Sequence, residues 1–307
     1  MTIDIDPRVD MVFHSLFGSK QHPALSISLV NAILGRTGLP QALELTVENP
    51  FLPSMYLGRK HSRLDILYRD EKQRQVQLEM QTQSHSGLNL RILHNWTNLY
   101  ARQLGKGQDY ATCRPVISVW ILEQPVYNQR EWLHNLRWYD PDNGLDPYDN
   151  RIITIELGIW RTWLREGRED ALDPLNKWLY FLSYAKGTER TVLEAQLGTP
   201  EITEAVEMVV EFTKDEKMRR AYDRRAEWAH LISSYIATGR EEGIEEGKKE
   251  GKKEGIKEGI KEGKKEAALA LLADGVPLEQ VLRCTGLSPE DLAGRESVVA
   301  VTVRGAV

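Results

Sequence analysis

Asp65 and Glu79 lie fourteen positions apart at polar places in two short alternating runs, and Gln81 follows Glu79 at the next place on the same side. Carboxylates brought together in this way bind a hard divalent cation such as Mg²⁺ or Mn²⁺. From Ser62 to Arg69, Leu64, Ile66 and Tyr68 alternate with Arg63, Asp65 and Leu67. From Gln75 to Gln83, Val76, Leu78 and Met80 alternate with Gln75, Gln77, Glu79 and Gln81. A period of two marks half-buried strands, and the polar connection Asp70 to Arg74 has an ordinary hairpin length. Pairing Arg69 with Gln75 also pairs Leu67 with Gln77 and Asp65 with Glu79, which sets both carboxylates on one face of the sheet. Like charges so placed repel, and a bound cation is the simplest compensation. A solvated hairpin whose charges never converge is the competing reading of the same spacing.

Other chemistries find little support. The seven histidines (His14, His22, His61, His85, His94, His134 and His230) show no close metal-ligand spacing. Cys113 and Cys284 are too few and too distant for a disulfide framework or a cysteine-based zinc site, so a reducing cytoplasm is the expected setting. There is no Gly-x-Ser-x-Gly elbow and no phosphate-cradling Walker loop; LGKGQDY (Leu104 to Tyr110) follows a helix and precedes a strand, the wrong order for one. No run approaches the roughly 20 apolar residues of a membrane span, and no basic region followed by a hydrophobic secretory segment opens the chain. With 307 residues, 41% hydrophobic, the chain can bury a full core plus smaller modules. A formal net charge of −5 offers no global attraction to nucleic acid, so DNA binding would need a local basic surface or a metal.

Several further blocks surround the hairpin in a fixed order: DMVFHSLFGSK (Asp10 to Lys20), the apolar stretch Leu25 to Gly35, NPFLPS (Asn49 to Ser54), RILHNWTNLYARQL (Arg91 to Leu104), GQDY and the strand PVISVWIL. This series resembles the PD-(D/E)XK nuclease-like transposases, the Rpn recombination-promoting nucleases, best over residues 7 to 160 and again from about 265 to 293. The resemblance implies an α/β fold: a restriction-endonuclease-like core with a mixed sheet flanked by helices, followed by an all-α C-terminal extension. It places Asp65 at the first metal-binding aspartate and Glu79 at the acidic residue of the signature. Gln81 stands where a lysine is usual in the signature, although the family itself commonly shows an ExQ version. An ammonium would stabilise a pentavalent phosphate by charge, whereas an amide offers only hydrogen bonds.

The implied activity is a metal-dependent DNA endonuclease linked to recombination or mobile DNA. Asp65, Glu79 and the Met80 backbone carbonyl would hold the ion, Mg²⁺ in the first place with Mn²⁺ or Ca²⁺ as alternatives, and Gln81 would orient the attacking water. The helix after the hairpin is expected to follow the DNA backbone, with Leu90, Leu93, Leu99 and Leu104 as its apolar stripe and Arg91, Asn95 and Tyr100 as DNA-binding candidates. Trp96 and Tyr100 also make an ordinary i,i+4 packing pair. Asp10 matches an acidic position of the family's first helix, whose inner face Phe13, Leu16 and Phe17 would bury; an N-terminal helix charge explains it equally. The alternative for the whole chain is a catalytically inactive nuclease-fold protein acting as an interaction or oligomerisation module.

The expected organisation is a nuclease-like domain over 1–190, a helical region over 191–238, a charged repeat over 239–266, a small helix-turn-helix-like module over 267–293 and an unassigned tail over 294–307. Residues 127 to 150 read as a long loop or a partly ordered insertion, Arg151 to Leu157 as a strand, and helices are expected near 174–184, 199–212 and 228–238. In the repeat, glycine recurs at 239, 243, 247, 251, 255, 259 and 263 among balanced Glu and Lys. Opposite charges three apart favour a helix, but each glycine costs ~1 kcal/mol relative to alanine, so a spacer or weak helix is the favoured reading. A small-residue helix face joining two copies is the other, which makes a homo-oligomer through this C-terminal region an open expectation.

Overall fold

The structure, a computed structural model, describes residues 1–49, 66–83, 86–127, 129–146 and 148–292, with the backbone alone described at 229, 230, 233 and 236. Asp65 and His61 lie outside the described residues. Six strands form one mixed sheet in the order β1-β2-β3-β4-β6-β5: β1 Leu45–Val47, β2 Ile66–Asp70, β3 Gln75–Gln81, β4 Val116–Leu122, β5 Leu133–Leu136 and β6 Arg151–Glu156. β1–β2, β2–β3 and β5–β6 are antiparallel, while β3–β4 and β4–β6 are parallel.

Parallel strands need crossovers and are covered on both faces. All seven residues of β4 are accordingly buried. On one face Val76, Leu78, Ile117, Val119, Ile121, Ile153 and Ile155 pack with α1 (Asp10–Phe17), α2 (Pro23–Arg36) and later helices in the main core. Phe13, Leu16 and Phe17 are buried there, as the pattern of α1 demands. Tyr68 is fully buried and donates to the Phe17 carbonyl at 2.7 Å; burial pushes its phenol well above the ordinary value, which keeps it a neutral donor. On the opposite face α3 (Leu88–Ala101) lays Leu88, Ile92 and Trp96 on Val116, Trp120, Leu122 and Ile152.

The leucine stripe expected for this helix holds at Leu99, which is partly buried against this cluster, and fails at Leu90 and Leu93. Leu90 is 67% and Leu93 46% exposed, while the buried line runs through residues 88, 92 and 96. Its i, i+4, i+8 spacing follows the narrow strip of sheet that α3 covers, and Trp96 fixes it by donating from Nε1 to the Val116 carbonyl at 3.0 Å.

The β2–β3 hairpin has the expected register, with Arg69 opposite Gln75 and Leu67 opposite Gln77. Ile66 opposite Leu78 is the last described pair. The turn closes on Asp70, whose Oδ1 accepts from the Lys72 and Arg74 amides at 2.9 and 2.8 Å and whose Oδ2 accepts from Arg74 Nε at 2.6 Å. Gln73 sits in the turn at φ 64°, a left-handed conformation that side chains disfavour. Gln73→Gly is expected to stabilise the protein by about 0.5–1 kcal/mol, read as a raised melting temperature; a lowered one would show that the Gln73 side chain holds the turn.

The region 127–150 contains β5, an edge strand that polar, half-exposed residues conceal in the sequence. α4 (Leu157–Arg165), α5 (Pro174–Tyr184), α6 (Arg190–Leu197) and α7 (Pro200–Phe212) follow, with α4 and α6 not foreseen. The segment expected near 228–238 and the glycine repeat belong to one helix, α8 (Glu216–Ala273). The chain divides into two compact units, Met1–His230 and Leu231–Val307. In the second, α9 (Leu278–Thr285) and α10 (Pro289–Leu292) close a small core of Ala268, Val281 and Leu287. Ser288 and Asp291 cap α10 reciprocally, with Ser288 N to Asp291 Oδ2 at 3.0 Å and Asp291 N to Ser288 Oγ at 3.2 Å. Among the described residues no helix is long and apolar enough to cross a membrane.

Candidate active site

Gln77, Glu79 and Gln81 share the face of β3 that α3 covers, because side chains alternate along a strand. The parallel register sets them beside Ser118, Trp120 and Leu122 of β4. Glu79 is buried, at 8% exposure. The Arg91 guanidinium approaches it from α3, with Nη2 3.3 Å from Glu79 Oε1 and Nη1 3.2 Å from Gln81 Oε1. Gln81 in turn donates from Nε2 to the Gln83 carbonyl at 2.8 Å. Docking of Leu88, Ile92 and Trp96 leaves residue 91 beside the buried line, turned back toward β3.

A buried polar relay lies under that guanidinium. Arg91 Cζ is 5.4 Å from the centre of the Trp120 ring. Trp120 Nε1 donates to Ser118 Oγ at 2.9 Å, and Ser118 Oγ donates to Gln77 Oε1 at 2.7 Å. Gln77, Ser118 and Trp120 are each no more than 1% exposed. A serine within the otherwise apolar VISVWIL was the available signal, but its partner emerges only once β3 and β4 are paired.

The ends of the β3–β4 ladder, Gln75 N to the Pro115 carbonyl at 2.9 Å and Glu123 N to the Gln81 carbonyl at 3.0 Å, show that the odd residues of β3 bond to β4. The Met80 carbonyl is thereby directed to the β2 side, the strand on whose extension Asp65 is expected. Glu79, Met80 and Gln81 offer oxygen donors only, which fits a hard cation such as Mg²⁺. Among the described residues no group of three or more His, Cys, Asp or Glu could hold a metal, and Asp65, the other carboxylate of the expected set, lies outside them.

The remaining candidates are not all gathered here. Asn95 is half-buried one turn beyond Arg91. Tyr100 lies nine residues from Arg91, ~13 Å along the helix, stacked on Trp96 with centroids 5.5 Å apart. Asp10 is exposed, accepts from the Met11 amide at 2.7 Å and pairs with Arg225 of α8 at 3.0 Å. One buried acid on this face was missed: Glu156, fully buried at the end of β6, whose Oε1 accepts from the Val126 and Tyr127 amides at 2.9 and 3.2 Å. Burial raises the Tyr127 phenol pKa, and the charge of Glu156 raises it further.

A family model described as PD-(D/E)XK nuclease family transposase matches residues 7–239 of the chain. No curated protein and no solved structure matches it.

Proposed function

Since this chain belongs to the PD-(D/E)XK nuclease family transposases, we propose that it is a metal-dependent DNA endonuclease acting in recombination or on mobile DNA. The observation that carries the reading is the buried carboxylate of Glu79 beside Gln81 on β3, met by a guanidinium from α3. Glu79, the Met80 carbonyl and Asp65 would hold a divalent ion, Mg²⁺ foremost, which when bound activates water and neutralises charge on the scissile phosphate. Gln81 orients the nucleophilic water by its amide. Asn95 and Tyr100 are proposed contacts to the DNA strand along α3, and Tyr100 would offer its ring to a base. Two free cysteines suit a reducing, cytoplasmic setting.

A catalytically inactive nuclease-fold interaction protein is the second reading. The amide at position 81, in place of the usual lysine, favours it, and so do Ile244, Ile256 and Ile260, which are at least half exposed along α8, where a second copy could pack. Supercoiled plasmid incubated with the purified full chain separates the two. Nicking in Mg²⁺ or Mn²⁺ that EDTA abolishes is the expected result, and intact plasmid in every divalent metal would establish the second reading instead.

A further inference from the structure

We infer that Arg91 supplies from α3 the positive charge that a lysine at position 81 would supply from β3. This rests on the hydrolytic reading above and deepens it. The side chain that departs from the signature, Gln81, is the one that the guanidinium touches, at 3.2 Å, while another nitrogen of the same group reaches Glu79 at 3.3 Å. The charge therefore sits within one hydrogen bond of both signature residues. Arginine suits this delivery: its planar fork engages two acceptors at once, stays charged at all working pH values and stacks on aromatic faces.

The buried relay makes the placement rigid. Trp120 has no exposed surface and is held through Ser118 to Gln77, so the ring beneath the guanidinium has one orientation. Trp120 is a positioning residue, acting through Arg91. The Arg91 side chain retains 16% of its exposure. An arginine serving only to neutralise Glu79 would need neither the contact to Gln81 nor the indole platform.

The test uses the full chain, single-turnover plasmid nicking and Mn²⁺ affinity by calorimetry in the absence of DNA. Arg91→Gln is expected to slow nicking about a hundredfold, the scale for losing one preorganised donor at developing charge. The same variant should bind Mn²⁺ about fivefold more tightly, because a repelling charge beside the carboxylate is gone. Arg91→Lys keeps the charge and is expected to retain most of the rate. Adding Gln81→Lys to Arg91→Gln should recover at least about tenfold, since the charge then returns from β3.

Nicking by Arg91→Gln at the wild-type rate overturns the inference and leaves the nuclease reading standing. A double variant as slow as Arg91→Gln alone also overturns it, as does Mn²⁺ affinity that falls together with the rate, the sign of a merely structural arginine. A wild type inactive in every metal defeats the hydrolytic reading and this inference with it.

Discussion

Glu79→Gln is expected to abolish metal-dependent nicking while the protein stays folded. The amide has the carboxylate's shape and can still accept from Arg91, so the packing of β3 under α3 is retained. What disappears is the anionic oxygen proposed to hold the divalent ion. A bound cation contributes several kcal/mol to stabilising phosphoryl charge, so the rate should fall about a thousandfold or more. Nicking rate and far-UV circular dichroism measured on the same sample decide it. A variant that cleaves at more than a tenth of the wild-type rate would remove Glu79 from the catalytic set, and one that loses its secondary structure would make Glu79 a folding residue.

The second large effect lies in the turn that sets the hairpin register. Asp70 and Arg74 are buried side chains, 0% and 3% exposed, joined at 2.6 Å. Arg74 Nη2 also donates to the Pro40 carbonyl at 2.9 Å, so the pair ties the turn to the loop before β1. Asp70→Ala strands a guanidinium away from water and removes the acceptor of two turn amides, at an expected cost of about 3–5 kcal/mol in urea unfolding. Replacing both partners, Asp70→Ala with Arg74→Met, should recover much of that loss, because no charge is then left buried. A single variant within 1 kcal/mol of wild type, in the ~0–1 kcal/mol range of surface ion pairs, would mean that water reaches the pair.

That turn also explains why the hairpin was legible in the sequence. The period of two fixed which residues of β2 and β3 share a face, and a five-residue connection left one register that kept both apolar sets inward. Glu79 and Gln81 could therefore be placed on one face of β3 from the alternation alone, but a half-buried strand was expected and the burial of Gln77 and Glu79 under α3 was not. Arg91 could not be placed, because its approach depends on how α3 docks on β4. Counting leucines pointed to Leu90 and Leu93, whereas Trp96, held by a backbone carbonyl, set the rotation of the helix. β5 was hidden for a related reason: an edge strand buries too little to show an apolar pattern, and Leu133 to Leu136 reads LHNL.

The glycine repeat reads as a spacer or a weak helix, and the structure shows the helix. Seven glycines argue against a helix by propensity, yet α8 runs through them. Charge pairing along its surface, such as Lys249 to Glu245 at 2.7 Å, works against the glycine penalty by only a few tenths of a kcal/mol per pair. The relay from Trp120 through Ser118 to Gln77 links two strands through side chains 41 residues apart, a proximity that no local pattern contains.

The proposed hydrolytic chemistry requires that the carboxylates of Asp65 and Glu79 clasp one cation. An anomalous difference map from a crystal of the full chain soaked in manganese tests it most directly. The expected result is a peak within coordination distance of the Asp65 and Glu79 carboxylates and the Met80 carbonyl. A map at saturating manganese with no peak there would contradict it.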